Sequence, residues 1–202
     1  MSRLGLAQKK QVIQTKMTSI LRHFIDERFQ IQKMSQKAWF GSMFEDILFL
    51  GPDHSGKVGE HFIATICQRN KIEHAYTWDD KNSTDGTYDI IIRGRKIEVK
   101  TARLGVQKCF QHENLRGTGC EYHFFVDVAP DHIYLTILPT FDMTIRHPII
   151  GRKPHLRKGT TDVFKFDFGE VNLKNPDITL KIGAETSLEV IGQFIQSKIV
   201  PL

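Results

Sequence analysis

D85-G-T-Y-D89-I-I-I-R-G-R-K-I-E98-V-K100-T101 is the stretch whose reading decides the fold. Tyr88 to Ile92 is rich in β-branched and aromatic residues, which suit a pleated, half-buried surface. Ile97, Val99 and Thr101 alternate with Lys96, Glu98 and Lys100, the period of two that marks a second strand. Arg93-Gly94 lies between the two runs, and glycine supplies the positive φ that a tight hairpin turn needs. A two-residue turn puts Asp89 opposite Glu98. Side chains alternate across a strand, so Glu98 and Lys100 share one face and Ile97 and Val99 the other. Two carboxylates and an ammonium then project together from a sheet edge, backed by Ile90, Ile92, Ile97 and Val99.

Two carboxylates this close repel, and one pKa rises unless a cation neutralises them. A divalent ion is the natural partner. Mg2+ takes hard oxygen ligands and uses one or two carboxylates together with waters and substrate phosphates. Asp89, Glu98 and the Val99 carbonyl form the candidate ligand set, and Mn2+ suits the same oxygens. The Lys100 ammonium is the candidate group to orient or deprotonate an attacking water, or to stabilise developing negative charge.

Asp89, eight residues, then Glu98-Val99-Lys100 resembles the PD-(D/E)XK nuclease motif. Tyr88 stands where that motif often has proline. The resemblance covers about residues 55 to 138. It implies an α/β sandwich with a mixed central sheet flanked by helices, and a Mg2+-dependent nuclease. In that family a helix before the hairpin commonly carries a glutamate that completes the metal site, and G56-K-V-G-E60-H-F looks like that helix. Glu60 is thus the implied third acid; its ordinary reading is a solvated glutamate near a helix start, favourable to the helix dipole. Asp85 is a rival first acid, although Asp85-Gly86 reads as turn chemistry.

The rest of the chain is organised around this hairpin. Residues 8 to 38 carry Ile13, Met17, Ile20, Leu21, Phe24 and Ile25 at helical spacing, with a basic remainder. This predicts an amphipathic helix that packs on the core, dimerises or contacts a DNA backbone. Residues 39 to 50 are apolar and read as a short buried helix. Gly51-Pro52-Asp53 reads as a breaker, and Asp53 or Ser55 as the cap of a helix over about 56 to 70. G51-x4-G56-K57-V58 mimics a phosphate-binding loop, but Val58 stands where Ser or Thr should hold the metal. Residues 73 to 78 read as a strand and 79 to 86 as a polar loop. Strands follow at 121 to 128, 132 to 138 and 163 to 168, with a closing helix at 187 to 198.

Past the hairpin, F110-Q-H-E-N-L-R116 resembles the glutamine-containing segment that follows the E-x-K strand in restriction endonucleases. Arg103, Gln111 and Arg116 are therefore candidate phosphate or water contacts, or else simply solvated. The run 148 to 158 carries Arg152, Lys153, Arg157 and Lys158 around Pro154. A cationic loop beside such a core is a candidate for salt-dependent phosphate contacts or guanine readout. Cys109, His112, Cys120 and His123 have zinc-like pair spacing. Yet Cys120 and His123, if both lay in one strand, would point to opposite faces.

At 202 residues, 40% hydrophobic and 25% charged, the chain suits one compact domain, with 1–50 a helical segment and 51–202 the core. The net charge of +5 fits a polyanionic partner without demanding one. Three cysteines make no disulfide framework and suggest a reducing compartment. Lys9, Lys10 and Lys16 interrupt any leader-like apolar run, and nothing approaches the roughly 18 apolar residues of a membrane span. The resemblance points most closely to a type II restriction endonuclease. Such an enzyme is cytoplasmic in a prokaryotic cell, acts on double-stranded DNA as a homodimer, and is paired functionally with a protective DNA methyltransferase. A repair, recombination, transposon or nicking nuclease of the same fold remains open. So does a DNA-binding protein that never cuts.

Overall fold

The protein is described from a computed structural model, which covers residues 19–34, 36–76 and 87–202. Asp85, Lys9, Lys10, Ile13, Lys16, Met17, the end of the expected strand at 77 to 78 and the whole expected loop at 79 to 86 lie outside the described residues. The chain divides into two compact units, Met1–Phe40 and Gly41–Leu202, a boundary earlier than the one expected at residue 50.

In the first unit, residues 19–34 form a helix, α1, with an Arg22–Asp26 ion pair one turn apart. Ile20, Leu21, Phe24 and Ile25 on it are exposed. A 3-10 turn follows at Lys37–Trp39.

The second unit is mixed α/β. Its helices are α2 (Pro52–Arg69) and α3 (Leu188–Lys198). Its strands are β1 (His74–Ala75), β2 (Ile90–Ile92), β3 (Arg95–Arg103), β4 (Phe110–Leu115), β5 (Tyr122–Val128), β6 (Ile133–Pro139), β7 (His155–Leu156), β8 (Phe164–Phe168) and β9 (Thr179–Ile182). Six strands make the central sheet in the order β1-β2-β3-β5-β6-β9. Only the β3–β5 pairing in it is parallel, so the sheet is mixed. Among the described residues no helix is long and apolar enough to cross a membrane.

The β2–β3 hairpin has the expected register. Ile90 pairs with Ile97 and Ile92 with Arg95. The turn is Arg93-Gly94, with φ of 51° and 80°. Two positive φ values are the signature of the hairpin turn that matches strand twist. Arg93 tolerates this because its guanidinium donates to the Gln196 and Ile199 carbonyls, and the Leu202 N–H bonds back to the Arg93 carbonyl. The C-terminal segment thereby braces the turn.

Several local expectations change. β3 lies between β2 and β5, so the motif strand is interior and not a sheet edge. Helix α2 begins at Pro52, with Gly51 as its N-cap, four residues before the expected start. Proline has no N–H to lose at the first helical position, so the supposed breaker is the starter. Gly56 and Lys57 therefore sit inside a helix, which rules out a phosphate-cradling loop there. Residues 39 to 50 form no buried α-helix; after Gly41, with φ of 74°, only a 3-10 turn at Glu45–Phe49 forms, and Met43 and Phe49 are exposed.

The largest departure is a second sheet, ordered β4-β8-β7. The segment read as polar, 110–115, is its first strand. Phe110, His112 and Leu115 point inward, and Gln111 and Glu113 outward. Phe110, Leu115, Phe166 and Phe168 from this sheet join Ala102, Phe125 and Leu138 from the central sheet in one apolar cluster. Helices α2 and α3 pack together, α2 also against β3 and α3 against β9.

Candidate active site on the hairpin

Alternation along β3 buries Ile97, Val99 and, through the opposite face, Ala102, while Glu98 and Lys100 are half-buried. The antiparallel ladder ends at Ile90 and Ile97, and Asp89, the next residue along, lies near enough to Glu98 for their charges to repel. Asp89 does not continue the ladder in the ordinary way. Its N–H bonds the Ile97 carbonyl, and its carboxylate accepts the Val99 N–H at 2.7 Å. The side chain thus takes a backbone donor and is pinned against β3. The N–H and C=O of one strand residue point to the same side, so the Val99 carbonyl faces the Asp89 segment as well. Lys100 Nζ forms an ion pair with Glu98 Oε1, on its own strand two residues away.

The electrostatics follow from burial. The Asp89 carboxyl is pushed up to about 7, first by desolvation and next by the Glu98 charge, against the pull of the Val99 N–H. Burial also raises Glu98, opposed chiefly by Lys100. Glu60 adds a repulsive contribution at both carboxylates. It stands mid-helix and not near the helix start, and is only 8% exposed. Gly59 lets α2 approach β3 closely: a Cβ there would lie 1.9 Å from Thr101 Oγ1. That approach brings Glu60 toward the hairpin.

A consequence for stability can be measured without any assay of function. Below about pH 4 the Asp89 carboxyl is protonated in both the folded and the unfolded chain. Between its ordinary value of 3.8 and its folded value of about 7, the unfolded chain has released a proton that the folded chain keeps. Stability therefore falls as pH rises through that window, and the deficit is complete above about pH 7. Asn keeps an acceptor for the Val99 N–H but carries no charge. Asp89→Asn is thus expected to stabilise the ion-free protein by about 2–4 kcal/mol at pH 8 and to change little at pH 4. Urea unfolding at the two pH values reads this; a variant no more stable than wild type at pH 8 would contradict it.

Other residues also reach this face. His123 is the β5 partner of Glu98 in the parallel register and is fully buried. Its Nε2 lies 3.1 Å from the Arg116 carbonyl, and burial followed by the Lys100 charge pulls it down to about 4. The ring is therefore neutral at ordinary pH. Cys120 precedes β5 in a turn, so its Sγ comes within 3.5 Å of His123 Nε2, which removes the geometric objection to that pair. His112, in contrast, is paired with Asp127. The four residues with zinc-like spacing thus do not assemble as a set. Among the described residues, no group of three or more His, Cys, Asp or Glu is placed to hold a metal ion.

The remaining sites expected from sequence divide into two groups. Arg103 lies on the opposite face of β3 from Glu98. It donates to the Ile47 and Leu48 carbonyls, capping the 3-10 turn. Arg116 is exposed, holds Asp162 at 3.7 Å and lowers Glu98 through its charge. Asp162 and Thr118 belong to the lining of an open cleft of about 490 Å3, and Arg116 pairs with that lining through Asp162. Gln111 faces outward on β4, opposite Asp167. Arg157 donates to Asn114 Oδ1 at 2.5 Å, and Arg152 to the Asp167 carbonyl. Lys153 and Lys158 are exposed. These cations flank the second sheet, while the carboxylates and Lys100 belong to the central one.

Sequence reading missed Lys57 and Tyr76. Lys57 Nζ sits 2.5 Å from Glu60 Oε2, and the Tyr76 hydroxyl donates to the same oxygen at 3.1 Å. The i, i+3 spacing of Lys57 and Glu60 on a helix was a legible signal. Nothing in the sequence marks Tyr76.

Comparison with protein-family models, curated proteins and solved structures found no match for this chain. The site therefore stands on its geometry. Its donors are all oxygens, two carboxylates and a backbone carbonyl that share one side of the hairpin. That suits a hard ion that completes its shell with water and phosphate oxygens. It does not make a closed three-carboxylate cage.

Proposed function

We propose that this chain is a Mg2+-dependent endonuclease of the PD-(D/E)XK type that hydrolyses phosphodiester bonds in double-stranded DNA. One observation carries the reading: Asp89 is fixed by the Val99 N–H near enough to Glu98 to feel its charge, with the Lys100 ammonium on Glu98. A bound Mg2+ would supply Lewis-acid polarisation of the phosphate and a more acidic water. Asp89, Glu98 and the Val99 carbonyl are the residues to hold it, with Mn2+ able to substitute, and Glu60 stands close by. Lys100 places a positive charge beside the Glu98 carboxylate, where attacking water and developing phosphate charge belong. Arg116, Gln111, Arg152, Lys153, Arg157 and Lys158 supply candidate contacts to the duplex; Arg103 serves the fold.

Within that class we favour a type II restriction endonuclease, acting as a homodimer on a short symmetric site in a prokaryotic cytoplasm beside a protective methyltransferase. The test is full-length protein, plasmid of known sequence and Mg2+ or Mn2+. Discrete fragments with 5′-phosphate ends support the reading. Unspecific degradation or nicking assigns the chain to another nuclease of this type. Intact plasmid with both ions overturns the enzyme. One observation favours a rival, a DNA-binding protein that does not cut: Asp89, Glu98 and Glu60 each already have a protein donor. Retarded but uncut DNA is the result that selects it.

A further inference from the structure

We propose that Lys57 is a stand-in cation, a positioning residue whose ammonium holds Glu60 in the ion-free protein and gives way when a divalent ion takes that carboxylate. This rests on the metal-dependent reading above and extends it to a residue outside the hairpin.

The geometry separates a fixed anion from an exchangeable cation. Glu60 is 8% exposed and rides on a helix that Gly59 seats against Thr101. The Lys57 side chain is 52% exposed. Its ammonium touches Glu60 Oε2 at 2.5 Å and lies 5.9 Å from the centre of the Tyr76 ring. The half-exposed ammonium can return to water, and the buried Glu60 carboxylate is not stranded so long as the incoming ion replaces the charge that Lys57 supplied. Moving the helix would undo packing against β3. A doubly charged ion arriving near Asp89 and Glu98 therefore competes with Lys57 for a carboxylate that is already in place.

Tyr76 has the opposite role. Its hydroxyl donates to the same Oε2 at 3.1 Å without bringing a charge. It holds the carboxylate while the cation changes. Among the described residues no group of three acids is assembled around an ion site, and Glu60 is held by Lys57 and Tyr76. The third acid is present and oriented, but it is bound to lysine.

The test uses the full chain and Mn2+ alone, with free ion measured by electron paramagnetic resonance. Lys57→Met is expected to tighten Mn2+ binding about five- to tenfold, as loss of a competing unit charge near the surface should. Lys57→Arg keeps a cation on Glu60 and should stay near wild type. Lys96→Met removes a cation on the Glu98 face that rests on the Tyr88 ring, not on a carboxylate. It should change Mn2+ binding by less than about twofold, given solvent screening of an unpaired surface charge. The inference is overturned if Lys57→Met binds Mn2+ no tighter than wild type, or if Lys96→Met tightens binding equally. Absence of Mn2+ binding by the wild type overturns both this inference and the metal site. Plasmid cleavage is followed in parallel. Mn2+ binding tightened as expected without any cleavage leaves the exchange standing and removes the nuclease.

Discussion

Glu98→Gln and Lys100→Met are each expected to lower Mg2+-dependent cleavage by about 10²–10³-fold or more, with duplex binding retained. Glutamine keeps the size and the hydrogen-bonding oxygen of Glu98 but removes its charge. It also removes the ion partner of Lys100. Methionine keeps the apolar stem of Lys100 and deletes the ammonium. Neither change opens a cavity, because both side chains are only half-buried and Ile97 and Val99 on the other face are untouched. The cations that would grip the duplex, Arg152, Arg157 and their neighbours, flank the second sheet and are unaffected. Initial cleavage rates and a binding isotherm, measured on the same preparations, separate chemistry from affinity. Either variant cutting within a few-fold of wild type would remove these residues from the site.

The second large effect lies in the core. His112 on β4 and Asp127 on β5 meet at 2.8 Å, both fully buried, and tie the second sheet to the central one. The two atoms are misaligned for a hydrogen bond, and neither Asp127 oxygen has a hydrogen-bond partner among the described residues. Burial holds the Asp127 carboxyl above its usual range, with His112 pulling it back. The imidazole lies edge-on to Phe125 and tilted against Phe168, with ring centres 4.6 Å and 5.0 Å away. Phenylalanine at 112 keeps those ring contacts but leaves Asp127 alone in an apolar cluster. His112→Phe is therefore expected to cost about 3–5 kcal/mol. The double change His112→Phe with Asp127→Leu should recover much of that loss, since an apolar pair removes the stranded carboxyl. Urea midpoints for the two singles and the double read the coupling. A cost below about 1 kcal/mol for His112→Phe would mean that the pair contributes nothing to joining the sheets.

The parts of this chain legible from sequence share one property: their signals are local. The hairpin announces itself through alternation and Arg93-Gly94, and its two-residue turn sets the pairing of Ile90 with Ile97. The strands β5, β6 and β8 follow from β-branched and aromatic runs. Ser187 caps α3 through its side chain, four residues before Ile191 enters the core. In the same way Pro52 could have been read as the start of α2, had its missing N–H been counted as an advantage.

What the sequence left open depends on which surfaces meet. The segment F110-Q-H-E alternates, but His112 at an inward position reads as polar until Asp127 is found behind it. Asn114, with φ of 57°, breaks the period before Leu115, and the pairing of β4 with β8 shifts register there. Arg103 looks like a phosphate contact in a basic run; its position on the α2 face, within reach of the Ile47 and Leu48 carbonyls, makes it a cap.

By itself the sequence determined the hairpin, its register and the shared face of Glu98 and Lys100, because backbone dihedral preferences and a period of two act within a dozen residues. Only the tertiary structure decided that β3 is interior, that a second sheet covers part of the face, and that Lys57 and Tyr76 hold Glu60. Those outcomes come from packing between segments far apart in the chain, where steric fit and the need to partner buried charge select the contact, and no local pattern encodes that choice.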